Sequence, residues 1–319
     1  MDLAHLRYAV EIARTHSISQ AAENLYMGQP NLSRAIKDLE EELQVQIFRR
    51  TSHGVSVTLE GEEFLRHAHS IVQQADEIEE IYKNRKQPKQ RFSLCAPRAS
   101  YISQAFVQFS RQAALQSPDD APLEFTYKET NSMKAIHKVL NNEYNLAIVR
   151  YQTIFDKYFR ELFDVKKLHA EIVAEFPCLV TLSAQHPLAQ KETLLLSELR
   201  DGPEILHADP YVPSLAPSDT LKAESPSASA RKIFVFERGT QFMLLEQLPG
   251  AFMWTSRLPQ AMLDKYRLVQ RPCADHTGKS RDVLLYRKSY QPNELDELFI
   301  AELSRSRQLH LDRTERNPV

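Results

Sequence analysis

Glycine is scarce in this chain, which has only seven glycines in 319 residues. Phosphate-binding loops and dinucleotide-binding turns need closely spaced glycines, so this scarcity argues against nucleotide-dependent chemistry. The sequence also lacks a nucleophile motif, and its eleven histidines are scattered without the spacing of metal ligands. We therefore predict that the chain is not an enzyme and holds neither a cofactor nor a metal ion.

Cysteine is also rare, and Cys95, Cys178 and Cys273 lie far apart in the chain. Their separation predicts reduced, buried thiols rather than a disulfide framework, with a redox role for two of them left open. No apolar run reaches the roughly 18 residues that a membrane span needs, and no signal peptide precedes the first amphipathic helix. We expect a cytoplasmic protein without a membrane partner.

An excess of positive charge is missing as well. Lys and Arg total 40 against 42 Asp and Glu, which gives a net charge of −2. Residues 1–60 carry six Lys and Arg against eight Asp and Glu. A nucleic-acid partner therefore requires individually placed cations rather than a basic domain. The candidates are Arg34, Lys37, Arg49 and Arg50.

Residues 17–58 contain the most informative pattern, which predicts two short helices, a tight turn and a hairpin. Apolar residues repeat at three- and four-residue steps along both helices. They are Ile18, Ala21, Ala22 and Leu25 on the first helix, and Leu32, Ala35, Ile36, Leu39 and Leu43 on the second. Gly28 is expected to take the unusual backbone angles of the turn. Pro30 suits the first helical turn, where its missing N–H costs nothing.

The polar face of the second helix and the hairpin are predicted to contact double-stranded DNA. A helix whose apolar face packs on a small bundle presents its opposite face to the major groove, where arginine can bind guanine or a phosphate. The hairpin cations can reach the backbone or the minor groove. The predicted DNA-binding residues are Gln29, Pro30, Asn31, Ser33, Arg34, Lys37, Arg49, Arg50 and His53. The alternative is a polar helix face that is only solvated.

The string QAAENLYMGQPNLSRAIKDLEEELQVQIFRR, followed by GVSVTLEGE, resembles the N-terminal head of LysR-type transcriptional regulators. The resemblance implies a winged helix-turn-helix that reads DNA sequence. Two positions depart from the family pattern. Gly28 stands where the family usually has serine or threonine. The second helix, which we call the reading helix, therefore lacks a side-chain cap. Gln44 stands where a glycine usually ends that helix in a left-handed conformation. A residue other than glycine in that conformation costs about 1–2 kcal/mol, unless the turn is built differently.

A long helix is predicted from a cap at Thr58 to about residue 84. Its apolar residues form a heptad seam that is too long to be buried against the small head alone. The seam residues are Phe64, Ala68, Ile71, Ala75, Ile78 and Tyr82. We interpret them as a dimerisation seam, which the family resemblance also implies, so the chain is expected to form a homodimer or homotetramer. The alternative is packing of this helix on the chain's own second domain.

From residue 92 onward the pattern alternates between strands and helices, which predicts α/β lobes with mostly parallel sheets. Strands are predicted at 92–96, 123–128, 146–151, 171–182, 204–207, 233–236, 251–255 and 283–286. The length suggests two lobes, with the chain crossing between them near residues 151–162. This half resembles the LysR effector domain, whose fold is shared with periplasmic binding proteins, through NEYNLAIVR and HPLA.

These patterns divide the chain into five segments. We predict a winged helix-turn-helix DNA-binding domain at 1–58 and a linker helix for dimerisation at 59–87. A hinge follows at 88–91. A two-lobed domain for effector binding and oligomerisation is predicted at 92–305, and a C-terminal tail at 306–319.

A small-molecule effector is expected at the carboxyl ends of the strands, where ligands bind in open α/β sheets. The predicted effector-binding residues are Arg98, Ser100, Tyr101, Thr130, Asn131, Ser132, Arg150 and Thr255. Arginines beside exposed backbone N–H groups favour a small anion, with a carboxylate as the first candidate.

Three hypotheses for the function remain from the sequence. The favoured one is a LysR-type regulator that responds to a small anionic effector. The alternative is a DNA-binding protein whose C-terminal domain only oligomerises, without an effector. The third, an enzyme with an appended DNA-binding head, is disfavoured by the missing catalytic motifs.

Overall fold

A computed structural model describes residues 1–51, 54–83, 90–116, 122–207, 226 and 229–311. The chain forms two compact units, the first consisting mainly of Met1–Lys89 and the second of most of the remaining chain. None of the helices in the described ranges is long and apolar enough to cross a membrane. His53 lies outside the described residues, and the side chains of Arg50 and Tyr82 are also not described.

The first unit begins with a three-helix head and a hairpin. The helices are α1 (Leu3–Thr15), α2 (Ile18–Asn24) and α3 (Gln29–Leu43), and the hairpin strands are β1 (Phe48–Thr51) and β2 (Gly54–Val57). The apolar residues that repeat at three- and four-residue steps form the core, as their helical spacing predicts. The buried core residues include Ala9, Ile12, Ala21, Ala22, Leu32, Ile36, Leu39 and Ile47.

The turn between α2 and α3 differs from the prediction. Gly28 has an ordinary extended backbone (φ −72°, ψ 131°) and precedes α3 without a side-chain cap. The left-handed residue is Tyr26, with φ 53°. Its N–H donates to the Glu23 carbonyl at 3.1 Å, and the next N–H, of Met27, donates to the Ala22 carbonyl at 3.0 Å. These bonds satisfy the last carbonyls of α2, so the unusual angles belong to the end of α2.

The hairpin contains the position where glycine is required. Gly54 has φ 126°, and a Cβ added there would lie 2.6 Å from the backbone oxygen of His16. That oxygen also accepts a hydrogen bond from Val55 N at 3.0 Å. Because any larger residue would displace this contact, Gly54 holds the hairpin against the end of α1.

Helix α4 (Leu59–Lys83) follows the hairpin. Thr58 caps it as predicted, since its Oγ1 accepts from Gly61 N at 2.9 Å. Leu65, Ala68 and Val72 are buried on the side of α4 that faces the head. Two predicted seam residues, Phe64 and Ala68, pack in the same apolar cluster as Leu6 of α1. The first part of the predicted seam is therefore occupied by the head itself.

The other described seam residues lie outside that cluster. Ile71 and Ile78 are 45% and 57% exposed, and Ala75 is half-buried. Ile78 lies seven positions after Ile71, so the two share one face of α4, beside the face that packs on α1.

The second unit contains two five-stranded sheets. The first sheet has the order β4-β3-β5-β12-β6, with β3 (Gln90–Ala96), β4 (Leu123–Glu129), β5 (Leu146–Gln152), β6 (Leu168–Pro177) and β12 (Lys279–Arg287). Strands β3, β4 and β5 are parallel, whereas β12 runs antiparallel to β5 and β6. We call this sheet and its helices the first lobe. Its helices are α5 (Ser100–Gln116), α6 (Ser132–Leu140), α7 (Asp156–Val165) and α10 (Glu294–His310).

Aromatic packing fills the centre of the first lobe. The Phe92 ring of β3 lies 4.4 Å from Phe109 of α5 and 5.1 Å from Phe299 of α10, measured between centroids. Helix α10 extends to His310, so it includes five residues of the predicted tail. Ser306 explains this extension, because it is buried and its Oγ donates to the Tyr101 carbonyl at 2.6 Å.

The second sheet and its helices form the second lobe. The strand order is β11-β7-β10-β8-β9, with β7 (Leu179–Ser183), β8 (Glu204–His207), β9 (Lys232–Val235), β10 (Phe252–Thr255) and β11 (Leu268–Arg271). Helices α8 (Arg238–Gln247) and α9 (Gln260–Lys265) belong to this lobe. Its core includes Ile205, Phe242, Leu245 and Met253. The sequence reading missed β11, a strand of only four residues.

The crossing between the lobes also differs from the prediction. Residues 171–182 were predicted as one strand, but β6 ends at Pro177 and β7 begins at Leu179 in the other sheet. The predicted crossing at residues 151–162 contains most of α7, whose Phe159 and Phe163 are buried in the first lobe. A continuous apolar run cannot show which sheet each half joins, because tertiary pairing decides that. The chain crosses at Cys178 and returns between β11 and β12.

Candidate DNA-binding helix and interlobe cleft

The polar face of α3 is open to solvent in the described structure. Leu32, Ile36 and Leu39 are buried on the opposite face, so the 3.6-residue period turns the predicted contact residues outward. Ser33 is half-buried, and the exposed residues are Gln29, Pro30, Asn31, Arg34 and Lys37. Lys37 forms an exposed ion pair with Glu41 at 3.2 Å.

Glu40 connects α3 to the hairpin, and sequence reasoning assigned it no such role. Its Oε1 accepts from Ile47 N at 2.7 Å and from Phe48 N at 2.9 Å. Phe48 begins β1, which also carries the exposed Arg49 and pairs with β2 in the register Arg49 to Ser56. One carboxylate therefore fixes the start of the hairpin relative to the reading helix.

A cleft separates the two lobes of the second unit and has two adjoining compartments. Both are lined by Arg150, His207 and the end of β10 from Met253 to Ser256. The smaller compartment adds Arg98, Arg238, Gln241, Phe242 and Leu258. The larger one, of about 130 Å³, adds Tyr151, Gln152, Cys178, Ile205, Leu206 and Ser280. Three predicted effector residues, Arg98, Arg150 and Thr255, therefore line one cleft.

Arg150 is bound to a buried carboxylate. Its Nε and Nη2 each donate to Asp282 at 2.7 Å, and Tyr101 Oη donates to the same carboxylate at 2.6 Å. Asp282 is fully buried, and the guanidinium also lies 4.8 Å from the centroid of the Phe176 ring. Burial lowers the pKa of Arg150, but Asp282 raises it by more. Asp282 therefore balances the charge that Arg150 was predicted to add to the cleft.

The remaining predicted effector residues hold local structure. Asn131 Oδ1 accepts from Lys134 N at 2.8 Å, so Asn131 caps α6. Ser132 Oγ donates to the Arg150 carbonyl at 2.7 Å and accepts from Arg150 N at 3.0 Å. Thr130 is buried and donates its N–H to the Ala96 carbonyl at 2.9 Å. These three are absent from the lining of both compartments.

Thr255 lies in the lining but also takes part in an internal polar network. Its Oγ1 is 2.6 Å from Thr181 Oγ1, and Gln270 Nε2 donates to it at 2.8 Å. Gln270 Nε2 also donates to the Ser256 carbonyl at 3.0 Å. This network joins β7, β10 and β11 and holds the end of β10 at the cleft.

Arg238 is the principal residue that sequence reasoning missed. It begins α8 in the second lobe and pairs with Glu129 of the first lobe, with Nη1 at 3.0 Å from Oε1. Its Nη2 donates to Ser100 Oγ. Arg98 was predicted because ligands bind at the carboxyl ends of strands in open α/β sheets. The same principle indicates Arg238, which lies two residues beyond the predicted strand 233–236. His207 could have been found in the same way, since it ends β8.

The cysteines do not form disulfides. Cys95 and Cys273 are buried, and Cys178 is half-buried. Burial, together with the nearby Asp275, raises the pKa of Cys273 to about 12, so this thiol stays protonated at neutral pH. No group of three or more potential metal ligands occurs among the residues with described positions.

Comparison with known proteins identifies the head. Residues 3–62 match the bacterial regulatory helix-turn-helix protein, lysR family. The chain is 28% identical over 216 residues to the HTH-type transcriptional regulator AlsR of Bacillus subtilis, covering 67% of each protein. It is 26% identical over 296 residues to the Hca operon transcriptional activator HcaR of Escherichia coli, covering 90% of this chain and 92% of HcaR.

The similarity extends to the fold of the whole chain. Full-length OxyR from Pseudomonas aeruginosa has a solved structure that matches with a TM-score of 0.61 at 20% identity, covering 100% of this chain and 99% of that one. The chain belongs to the LysR family of DNA-binding transcriptional regulators. Its architecture is an N-terminal winged helix-turn-helix, a long helix and a two-lobed α/β domain.

Proposed function

We propose that this regulator responds to a small anionic effector that binds in the cleft between its two lobes. The observation that carries the proposal is the composition of the cleft lining. Arg98, Arg150, Arg238 and His207 line it, whereas the carboxylates of Asp282 and Glu129, which pair with Arg150 and Arg238, are not among its lining residues. A concave site with convergent donors and one sign of charge favours a ligand of opposite charge.

The size of the cleft supports a small guest. The larger compartment has a volume of about 130 Å³, and a cavity of about 150 Å³ is large enough for benzene. Met253 and Trp254 add apolar surface beside the polar groups. A small organic acid combines a carboxylate for the arginines with a short apolar body, which fits this lining.

The DNA-binding surface is proposed to consist of the exposed α3 residues and Arg49. Arg34 makes no ion pair within the described part of the chain, which leaves its guanidinium available to a base or a phosphate. Gln29, Asn31 and Ser33 flank it at the start of α3, the part of a recognition helix that contacts base edges.

A thermal-shift screen tests the effector. The test panel pairs small organic acids with their neutral amides, so that size and shape are matched while charge differs. An acid at a hundred times its dissociation constant should stabilise the protein by about 2.7 kcal/mol. The melting temperature should rise with at least one acid and not with the matching amide. A panel in which only neutral compounds raise it would contradict the anionic effector.

The alternative is a second unit that only oligomerises. It predicts no melting shift with any member of the panel and no change in operator affinity when acids are added. The operator itself can be obtained by sequencing the genomic DNA fragments that the purified protein retains. An acid that raises the melting temperature and also changes the affinity for those fragments excludes the alternative.

A further inference from the structure

Two arginines in the cleft lining differ in how their charges are balanced. Arg150 is bound through Nε and Nη2 to Asp282, which is fully buried and also accepts from Tyr101. In Arg238, by contrast, a single nitrogen, Nη1, donates to a carboxylate, which is that of Glu129. The Glu129 side chain is 25% exposed, so water can solvate it if the pair separates. Of these two pairs, the Arg238 pair is therefore the one that can exchange its carboxylate at low cost.

The Arg238 pair also spans the cleft. Arg238 is the first residue of α8 in the second lobe, and its guanidinium lies 5.5 Å from the centroid of the Phe242 ring. Glu129 is the last residue of β4, and Ser100 is the first residue of α5, both in the first lobe. Arg238 lines the smaller compartment, whereas Glu129 does not. The guanidinium therefore faces the cleft while its present partner comes from the opposite lobe.

We propose that Arg238 and Glu129 form an interlobe latch in which Glu129 takes the place of the effector's carboxylate. This inference rests on the proposed anionic effector and names the residue that binds it. An acid enters by displacing Glu129 from Arg238 Nη1, and Ser100 Oγ can continue to accept from Nη2. The ion pair between the lobes is then replaced by a ligand-mediated contact, so the lobes are held differently with and without the acid. Glu129 is an internal competitor that lowers the affinity for anions.

The latch is tested by removing the charge of Glu129 and keeping its shape. The amide oxygen of Glu129→Gln can still accept a hydrogen bond from Arg238, but it no longer competes as an anion. Glu124→Gln is the matched control, because Glu124 lies on the same strand and forms an exposed ion pair with Arg91 at 3.4 Å. Arg238→Gln removes the cation itself. Circular dichroism and melting curves establish that each variant is folded.

Isothermal titration calorimetry measures the affinity of each variant for an anion. Succinate is the acid, and its neutral diamide is the blank. Glu129→Gln should bind succinate about tenfold more tightly than the unmodified protein, since the released charge pair is only partly screened. Glu124→Gln should bind as the unmodified protein does. Arg238→Gln should bind at least tenfold more weakly than Glu129→Gln. Binding that is detectable only in Glu129→Gln also supports the latch.

Other outcomes overturn it. Equal succinate affinity of Glu129→Gln and the unmodified protein, whether measurable or absent in both, means that Glu129 does not compete. Weaker binding by Glu129→Gln means that Glu129 contributes to the site instead. Succinate affinity that survives in Arg238→Gln assigns the anion to another cation. In each of these cases the acid panel tests the proposed effector separately. The effector proposal fails if no acid raises the melting temperature of the unmodified protein or of any variant.

Discussion

Left-handed backbone at residues other than glycine occurs on both sides of the reading helix. Tyr26 precedes α3 with φ 53°, and Gln44 follows it with φ 54°. Such a conformation costs about 1–2 kcal/mol for a residue with a Cβ. Gln44 offsets part of this cost, because its Nε2 donates to the Glu41 carbonyl at 2.6 Å. The left-handed end expected at Gln44 from the sequence is thus confirmed.

Gly28 offers the simplest stabilising substitution. A Cβ at this position would make only ordinary contacts, the nearest at 3.7 Å from Asn31 Nδ2. In Gly28→Ser the hydroxyl can accept from Asn31 N–H, which already donates to the Gly28 carbonyl at 3.0 Å, because Pro30 has no N–H to offer. The head should therefore be stabilised by at most a few tenths of a kcal/mol, about the difference between serine and glycine caps. Urea denaturation measures the change. A lower stability would mean that the hydroxyl does not reach the Asn31 N–H.

Arg34 is the residue whose loss should most clearly affect operator recognition. Arg34→Ala should weaken specific binding by about 1–3 kcal/mol if the guanidinium reads a base, because no other group replaces a bidentate contact. Fluorescence anisotropy at fixed salt compares operator and scrambled DNA. Arg14→Ala is the matched control, since Arg14 is exposed on α1 and pairs with Glu11 at 2.6 Å. Equal operator affinity of the Arg34 variant and the unmodified protein would contradict the assignment.

At the level of elements, α4 has two adjacent apolar stripes with different environments. Ala68 is 1% exposed against α1, whereas Ile71 is 45% exposed. Arg7 of α1 also forms an ion pair with Asp76 of α4 at 2.5 Å, which fixes α4 to the head. A charged residue at Ala68 would therefore disrupt the head, and a charged residue at Ile71 would not. This difference makes Ile71 the proper site for testing assembly.

Ile71→Glu should separate the predicted dimer into monomers and lower operator affinity, because full-strength binding needs two half-sites. Analytical ultracentrifugation measures the mass, and anisotropy measures DNA binding. Leu115→Glu on α5 is the control, since Leu115 is also exposed, at 85%. A variant of Ile71 that retains both its mass and its operator affinity would show that the stripe is not an interface.

At the scale of the whole second unit, the buried Asp282 connects distant parts of the chain. It joins β12 to Arg150 of β5 and to Tyr101 of α5 through side-chain hydrogen bonds. Burial raises the pKa of Tyr101, with the Asp282 charge as a further cause, so the phenol remains a donor at any ordinary pH. The cluster lies where β12 returns from the second lobe, beside the register shift between Asp282 and Val283.

Asp282→Asn should destabilise the second unit by about 3–5 kcal/mol, since it leaves the Arg150 guanidinium without a counter-charge. Trp254 is the single tryptophan of the chain and lies in this unit, so its fluorescence during urea denaturation reports the change. Glu175→Gln should cost less than about 1 kcal/mol, because Glu175 belongs to a more exposed ion-pair network with Arg281 and Lys279. If both variants lost a similar amount of stability, Asp282 would not be the more important counter-charge.

The periodic patterns allowed much of the fold to be predicted. The helices of the head follow from apolar residues at three- and four-residue steps, and β8 lies at the predicted residues 204–207. The errors occur where local pattern carries no information on partners. An apolar run such as 171–182 is equally compatible with strands in one sheet or in two. The amphipathic helix α7 was not predicted, because most of it lies in the segment that was interpreted as the crossing between the lobes.

The candidate sites show the same division between local and tertiary information. The outward face of α3 is determined by the sequence alone, because a 3.6-residue period and an apolar stripe define the opposite face of any helix. The cleft was decided by the tertiary structure. Ion pairs depend on which charges meet across long separations in the chain, such as Arg150 with Asp282 and Arg238 with Glu129. The sequence placed arginines near the carboxyl ends of strands, and only the fold decided which carboxylate each of them meets.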